Sequence, residues 1–227
     1  MTGRRLAAAA VAGLGAVVAA SPLAYAQTTP AVRTGRVQIA VTGSLATPRG
    51  FDPAAVVFLT PGGEALVVSE SQARAGLGVG LDVHFGIQLS PSIDVEATGS
   101  WLRTPYSAEV TFDLEDAVPV TARVTASQFV VEGAVLFTVA RRGQTDFFVR
   151  GAGGWLFESS DQFLIDNGWT AQAGGGVKYW WRGRSPSAAR LGLRLEGRLR
   201  LHDTRILASG RDIRLTPVLA GGVIIGL

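Results

Sequence analysis

The 227-residue sequence contains no cysteine, one methionine and two histidines. No disulfide framework can form, and a transition-metal centre has almost no ligands to draw on. Long hydrophobic runs are also missing. Beyond the N-terminal leader no stretch holds the 18 or more uninterrupted apolar residues of a membrane-spanning helix. Blocks of like charge are absent too. The formal net charge of +3 includes Arg4 and Arg5 of the leader, and the remaining charges are dispersed, so no nucleic-acid partner is expected. Yet 47% of the residues are hydrophobic. The question is where so much apolar surface goes.

The leader accounts for a small part of it. Arg4-Arg5, the run "LAAAAVAGLGAVVAA" and the small-residue "AYA" before Gln27 predict a signal peptide over 1–26, cleaved near Ala26. A single domain over 27–227 follows.

Alternation accounts for the rest. In "RLGLRLEGRLRL" (190–201), Leu191, Leu193, Leu195, Leu199 and Leu201 share one parity, and Arg190, Arg194, Glu196, Arg198 and Arg200 share the other. Period 2 places these sets on opposite faces of a strand. Eight segments read this way, at roughly 36–44, 74–86, 92–102, 128–139, 146–156, 169–181, 190–201 and 212–227. Several run about 9 to 12 residues, the reach of a tilted membrane strand and longer than the usual 5 to 6. Connections after the second, fourth and sixth segments read as short, and those after the first, third, fifth and seventh as longer, most clearly 44–73 and 103–127. Aromatics Phe85, Trp101, Phe129, Phe137, Phe147, Trp155, Trp169 and Tyr179 fall near segment ends, where interfacial girdles form. The fold expected is all-β: an eight-stranded antiparallel up-and-down transmembrane β-barrel with leucines toward lipid and charges inward. A soluble lipocalin-like barrel, its leucines turned inward, is the competing arrangement.

The alternating "LRLEGRLRL", the Gly-rich "VRGAGGWLF" and "AQAGGGVKYWW", and the ending "GGVIIGL" resemble the small eight-stranded outer-membrane β-barrels of OmpA/OmpX type. The resemblance spans about 36–227. It implies the outer membrane of a Gram-negative-type cell, contact with outer-membrane lipid, and recognition of the C-terminal strand by the barrel-assembly machinery. Members commonly end in an aromatic residue, where this chain has Leu227.

Eight strands enclose a space that side chains just fill. The inward parity gathers Asp82, Asp94, Glu96, Glu132 and Glu196 against Arg150, Lys178, Arg190, Arg194, Arg198, Arg200 and Arg214. Buried unpaired charges are costly, so these groups should pair. Glu96, Glu132, Arg150, Lys178, Arg194, Glu196 and Arg198 form the predicted ion-pair network, read either as a rigid plug or as a narrow, porin-like small-solute pore. His84 reads as a satisfied interior residue. His202, in "LHDTRI", reads as a solvated loop residue beside Asp203. Thr204 is a poor nucleophile, and the His-x-Ser-Asn run of barrel lipid A deacylases is absent, so no enzyme activity, cofactor or metal is expected. The glycines of 151–154 and 174–176 lie within strands, without the helix a phosphate loop needs. Segments 54–70 and 108–126 read as protruding hairpins or ribbons, which either pack on each other or carry a surface partner through loops 44–73 and 103–127.

Overall fold

The computed structural model describes residues 37–50, 54–59, 65–113, 121–160, 166–181, 189–204 and 212–227. The signal-peptide segment 1–26, its cleavage site and residues 60–64 of the expected 54–70 hairpin lie outside the described residues. Eleven strands follow in order: β1 (Val37–Ala46), β2 (Arg49–Gly50), β3 (Ala54–Leu59), β4 (Ala65–Ala75), β5 (Gly78–Ser90), β6 (Ile93–Asp113), β7 (Thr121–Arg142), β8 (Thr145–Ser160), β9 (Asp166–Trp180), β10 (Arg190–Thr204) and β11 (Asp212–Gly226).

Eight of these close a ring. β1 pairs antiparallel with β5, and pairing continues through β6, β7, β8, β9, β10 and β11. β11 then returns to β1, with Gly43 opposite Gly221 and Leu45 opposite Leu219. Closure leaves these eight strands without a free edge over the ring.

The two ends differ. At one end, two-residue turns at 91–92 and 143–144 join β5 to β6 and β7 to β8. Gly143 takes the left-handed conformation (φ 61°) that a turn this tight favours. At the other end β6 and β7 run on as a paired ribbon, from Arg103 opposite Ser127 to Glu109 opposite Thr121. β4 lies along the far half of β6, β3 pairs β4, and β2 adds a short pairing to β4. A four-stranded sheet, β3-β4-β6-β7, therefore rises beyond the ring.

Connection lengths depart from expectation in one respect. β8 and β9 extend until five residues separate them, and β10 and β11 until seven do, whereas the link 181–189 at the turn end has nine. Strand pairing absorbs residues that looked like loop, because each added pair satisfies another backbone donor and acceptor. β6 and β7 are likewise separated by only seven residues, so the length contrast between ends rests on the excursion from β1 to β5.

Side-chain parity holds around the ring. Outward residues such as Leu195 (57% exposed) and Leu219 (62%) alternate with inward residues such as Arg194 (1%) and Val218 (2%). Inward glycines provide the room. Gly154 faces Glu132 on the neighbouring strand, Gly174 lies between Arg150 and Arg198, Gly176 between Phe148 and Glu196, and Gly222 beside Arg194. A Cβ on Gly154, Gly174, Gly176 or Gly222 would land on a neighbouring backbone carbonyl. These glycines thus set large inward side chains against empty positions on adjacent strands. Outward Gly99, Gly133 and Gly151 are sterically open, since a Cβ added at any of them would meet nothing within 4 Å.

Candidate functional site: the barrel interior

Strong alternation on β10 carries Arg194, Glu196 and Arg198 inward at successive levels. Arg194 Nη1 donates to Glu96 Oε2 at 2.6 Å, and its Nη2 to Glu196 Oε2 at 2.6 Å. One guanidinium thereby ties β10 to β6 across the interior, using the forked donor geometry that suits arginine to two carboxylates. Arg198 pairs with Asp82 of β5, and its Nε lies 3.3 Å from Glu196 Oε1. Arg150 lies 3.7 Å from both Glu96 and Glu132, and donates to Thr98 Oγ1 at 2.9 Å. Gln172 donates to Glu132 at 2.7 Å.

Glu96, Glu132, Arg150, Arg194, Glu196 and Arg198 thus form one connected array, with Asp82 at its end. Lys178 stands apart from that array. Its Nζ donates to Asp94 Oδ2 and to Gln38 Oε1, each at 2.8 Å, nearer the turn end. His84 is an interior residue: Nδ1 is 2.9 Å from Glu96 Oε1, and Nε2 is 3.2 Å from Thr42 Oγ1. Donation from Nδ1–H to the carboxylate leaves Nε2 to accept the threonine hydroxyl. No group of three metal-capable side chains occurs among the described residues.

An apolar layer lies below the ions. Trp180 packs with Ala40 and Ile224, and Phe148 with Leu136 and Ala134. Phe148 also presents its ring to Lys178 Nζ at 5.5 Å and to the Arg194 guanidinium at 5.3 Å. Trp180 donates to Asp146 Oδ2 at 2.9 Å. Arg194 to Glu96 and Lys178 to Asp94 and Gln38 cross the lumen between non-adjacent strands.

One expectation is corrected. His202 does not sit in a solvated loop; it is 1% exposed and faces the interior near Thr216 Oγ1, 3.4 Å from Nε2. β10 continues to Thr204, so the inward parity of Arg194–Arg200 carries His202 inside. The side chains of Asp203 and Thr204 are not among those described.

The outer surface completes the arrangement. Trp101, Phe129, Phe157, Trp155 and Trp169 are all exposed and connected by neighbouring pairings near the loop side. Phe85, Phe137, Phe147, Tyr179 and Trp181 are exposed toward the turn side. Phe129 and Phe137 stand eight residues apart on β7; at about 3.4 Å per residue and a tilt near 40°, that is roughly 21 Å along the barrel axis, close to the ~25 Å apolar band of membrane barrels. Leu193, Leu195, Leu199, Leu219 and Val223 fill the surface between these levels. A closed ring with charge inside and this belt outside decides the matter. The fold is that of the small outer-membrane β-barrels.

No protein-family model matches this barrel, and no curated protein does. Several solved structures match it at low identity. OprG of Pseudomonas aeruginosa is 11% identical, with 86% of this chain and 97% of that one covered and a TM-score of 0.49. Neisserial surface protein A (NspA) is 7% identical over 86% and 97%, with a TM-score of 0.43. Ail, the attachment invasion locus protein of Yersinia pestis, is 11% identical over 86% and 100%, with a TM-score of 0.39.

Sequence parity missed Phe157 and Trp181 of the aromatic levels, and a second polar cluster at the loop side. There Arg49 of β2 donates to Thr216, Gln128 donates to Glu158 at 3.2 Å, and Tyr106 lies on the part of β6 beyond the aromatic level. Burial and the nearby Glu158 carboxylate push the Tyr106 hydroxyl up to about 12. For Tyr106, Phe157 and Glu158, extending strand parity past the expected ends of β6 and β8 was the signal available.

The belt makes a direct prediction. Leu195→Arg, on the exposed mid-belt of β10, should destabilise the barrel by about 2–4 kcal/mol in lipid. Urea unfolding in vesicles measures this; a loss under about 0.5 kcal/mol would place Leu195 outside hydrocarbon.

Proposed function

We propose that this protein is a closed, non-enzymatic outer-membrane barrel whose loop-side sheet serves a structural or surface-interaction role. The observation that carries the reading is the lumen: Arg194 spans from β10 to Glu96 on β6, over a layer of Trp180, Phe148, Leu136 and Ile224. An open water path would have to displace these buried pairs and aromatic contacts together, and burying charge without its partner is strongly unfavourable. The long ribbon of β6 and β7, with β3 and β4 beside it, supports partner contact through 44–73 and 103–127. Lipid around the belt and the assembly machinery at β11 complete the proposed partners, and the leader supports export.

Reconstituted in a planar bilayer, the mature protein should show no steady channel current in simple salt. Reproducible conductance steps would overturn the closed reading in favour of a narrow small-solute channel. Folding must be verified in the same preparation by the mobility shift on boiling in SDS.

A further inference from the structure

Charges that interleave along the sequence are sorted by the fold. The interior sets Asp82, Asp94, Glu96, Glu132 and Glu196 against Arg150, Lys178, Arg194, Arg198 and Arg200, a balanced group. Segments 47–75, 103–127, 158–168 and 203–214 at the loop end carry seven arginines and twelve carboxylates. The turn end is the reverse. Segments 88–92, 140–146 and 181–190 carry Arg141, Arg142, Arg182, Arg184 and Arg190 against Asp146 alone. Even with a carboxylate counted at Leu227, that end stays cationic.

Asp146 is already engaged from two sides. Its Oδ1 lies 3.3 Å from Arg141 Nε, and its Oδ2 accepts from Trp180 Nε1 at 2.9 Å. The Trp180 ring in turn lies 5.1 Å from the Arg190 guanidinium. Arg141 also donates to the Pro91 carbonyl, which ties it into the turns. Arg142 is held by none of these contacts. It is exposed, and it makes no ion pair among the described residues. Register fixes the side on which it emerges. Arg142 stands opposite Thr145 on β8, and Thr145 opposite Tyr179 on β9. Cross-strand partners share a face. Tyr179 is on the outward face, edge-on to the exposed Trp181 with ring centroids 6.3 Å apart. Arg142 therefore leaves the wall on the lipid side, level with aromatics of the kind that mark where hydrocarbon gives way to headgroups.

We propose that the turn end selects anionic phospholipid: Arg142 holds a headgroup phosphate, and Arg141 and Arg190 add to the positive field behind it. The paired N–H donors of a guanidinium match two phosphate oxygens. Each arginine near a membrane surface adds to the attraction for anionic lipid. A soluble acidic partner would approach the end of the barrel, whereas an outward guanidinium at the aromatic level meets lipid first. The inference rests on lipid surrounding the belt, and it adds a preference by charge and by side. The acidic loop end repels the same headgroups, so the two leaflets are not equivalent to this barrel.

The test uses the mature protein folded in phosphatidylcholine vesicles, with trace spin-labelled phosphatidylglycerol or spin-labelled phosphatidylcholine. Folding is verified by the mobility shift on boiling in SDS. Electron paramagnetic resonance then reads the share of each labelled lipid immobilised at the barrel wall. Phosphatidylglycerol should associate at least about 3-fold more strongly than phosphatidylcholine, and molar salt should erase the difference. Arg142→Glu should also erase it, Arg142→Lys should keep most of it, and Arg123→Gln at the loop end should leave it unchanged. Equal immobilisation of both lipids by folded wild-type protein overturns the proposal, leaves the belt intact and assigns the cationic end to a soluble acidic partner. A preference that survives Arg142→Glu in folded samples overturns it as well. Absence of both the mobility shift and any immobilised lipid would sink the membrane belt itself, and the proposal with it.

Discussion

Arg194→Met should cost the barrel about 3–5 kcal/mol of stability, the range seen when one partner of a buried charge pair is removed. The side chain is buried and holds Glu96 and Glu196 together. Methionine fills similar volume but leaves Glu196 with Arg198 as its nearest cation, at 3.3 Å, while Glu96 keeps Arg150 and His84. The loss therefore falls most heavily on Glu196. Adding Glu196→Gln should recover part of the stability, because the two residues act as a coupled pair and their effects do not add. Urea unfolding in vesicles, followed by tryptophan fluorescence, measures both variants. A single substitution costing less than about 1 kcal/mol would mean that the Arg194 pairs are dispensable, and the plug would need another explanation.

The second large effect concerns closure. Gly222→Val should prevent folding altogether, whereas Gly99→Val should fold normally. A Cβ at 222 would land on the Val41 carbonyl oxygen and come within 2.6 Å of Thr42 Cα, both on β1. No side-chain rotation relieves a collision with backbone. β1 and β11 must separate there, which exposes the unpaired edges that a barrel in lipid cannot tolerate. At Gly99 an added Cβ meets nothing within 4 Å, so the side chain should join the outer belt. The boiling-dependent shift in SDS mobility reads the contrast in one gel. Normal folding of Gly222→Val would show that the strands at the seam have room to part without opening the ring.

Much of the architecture was legible in alternation alone. The parity of 190–201 placed Arg194, Glu196 and Arg198 inside and the leucines outside, because a strand's two faces meet different solvents. Pairing within the interior was less legible. Arg194 and Glu96 lie far apart in sequence and meet only through barrel curvature and strand register, neither of which alternation encodes. Lys178 shares the inward parity of the array, yet its level puts it with Asp94 rather than with Glu96. His202 was misplaced because the apolar signal of β10 ends at Leu201, while backbone pairing continues to Thr204 opposite Asp212. Arg49 of the loop-side cluster was hidden for a different reason: it belongs to a two-residue strand too short to show periodicity.

The seam between β1 and β11 has a temporal consequence. It joins residues near 40 to residues near 222, the most distant pairing in the ring. All other ring pairings join strands that follow one another closely, or, for β1 and β5, are separated by the β2–β4 excursion. Bringing the seam together carries the largest loop-closure entropy, so it gains least from partial order and is favoured to form late. Until β11 is available, β1 has an unpaired edge and the growing sheet has no inside. Interior and exterior are therefore not properties the chain acquires strand by strand; they come into being together, at the moment the ring shuts.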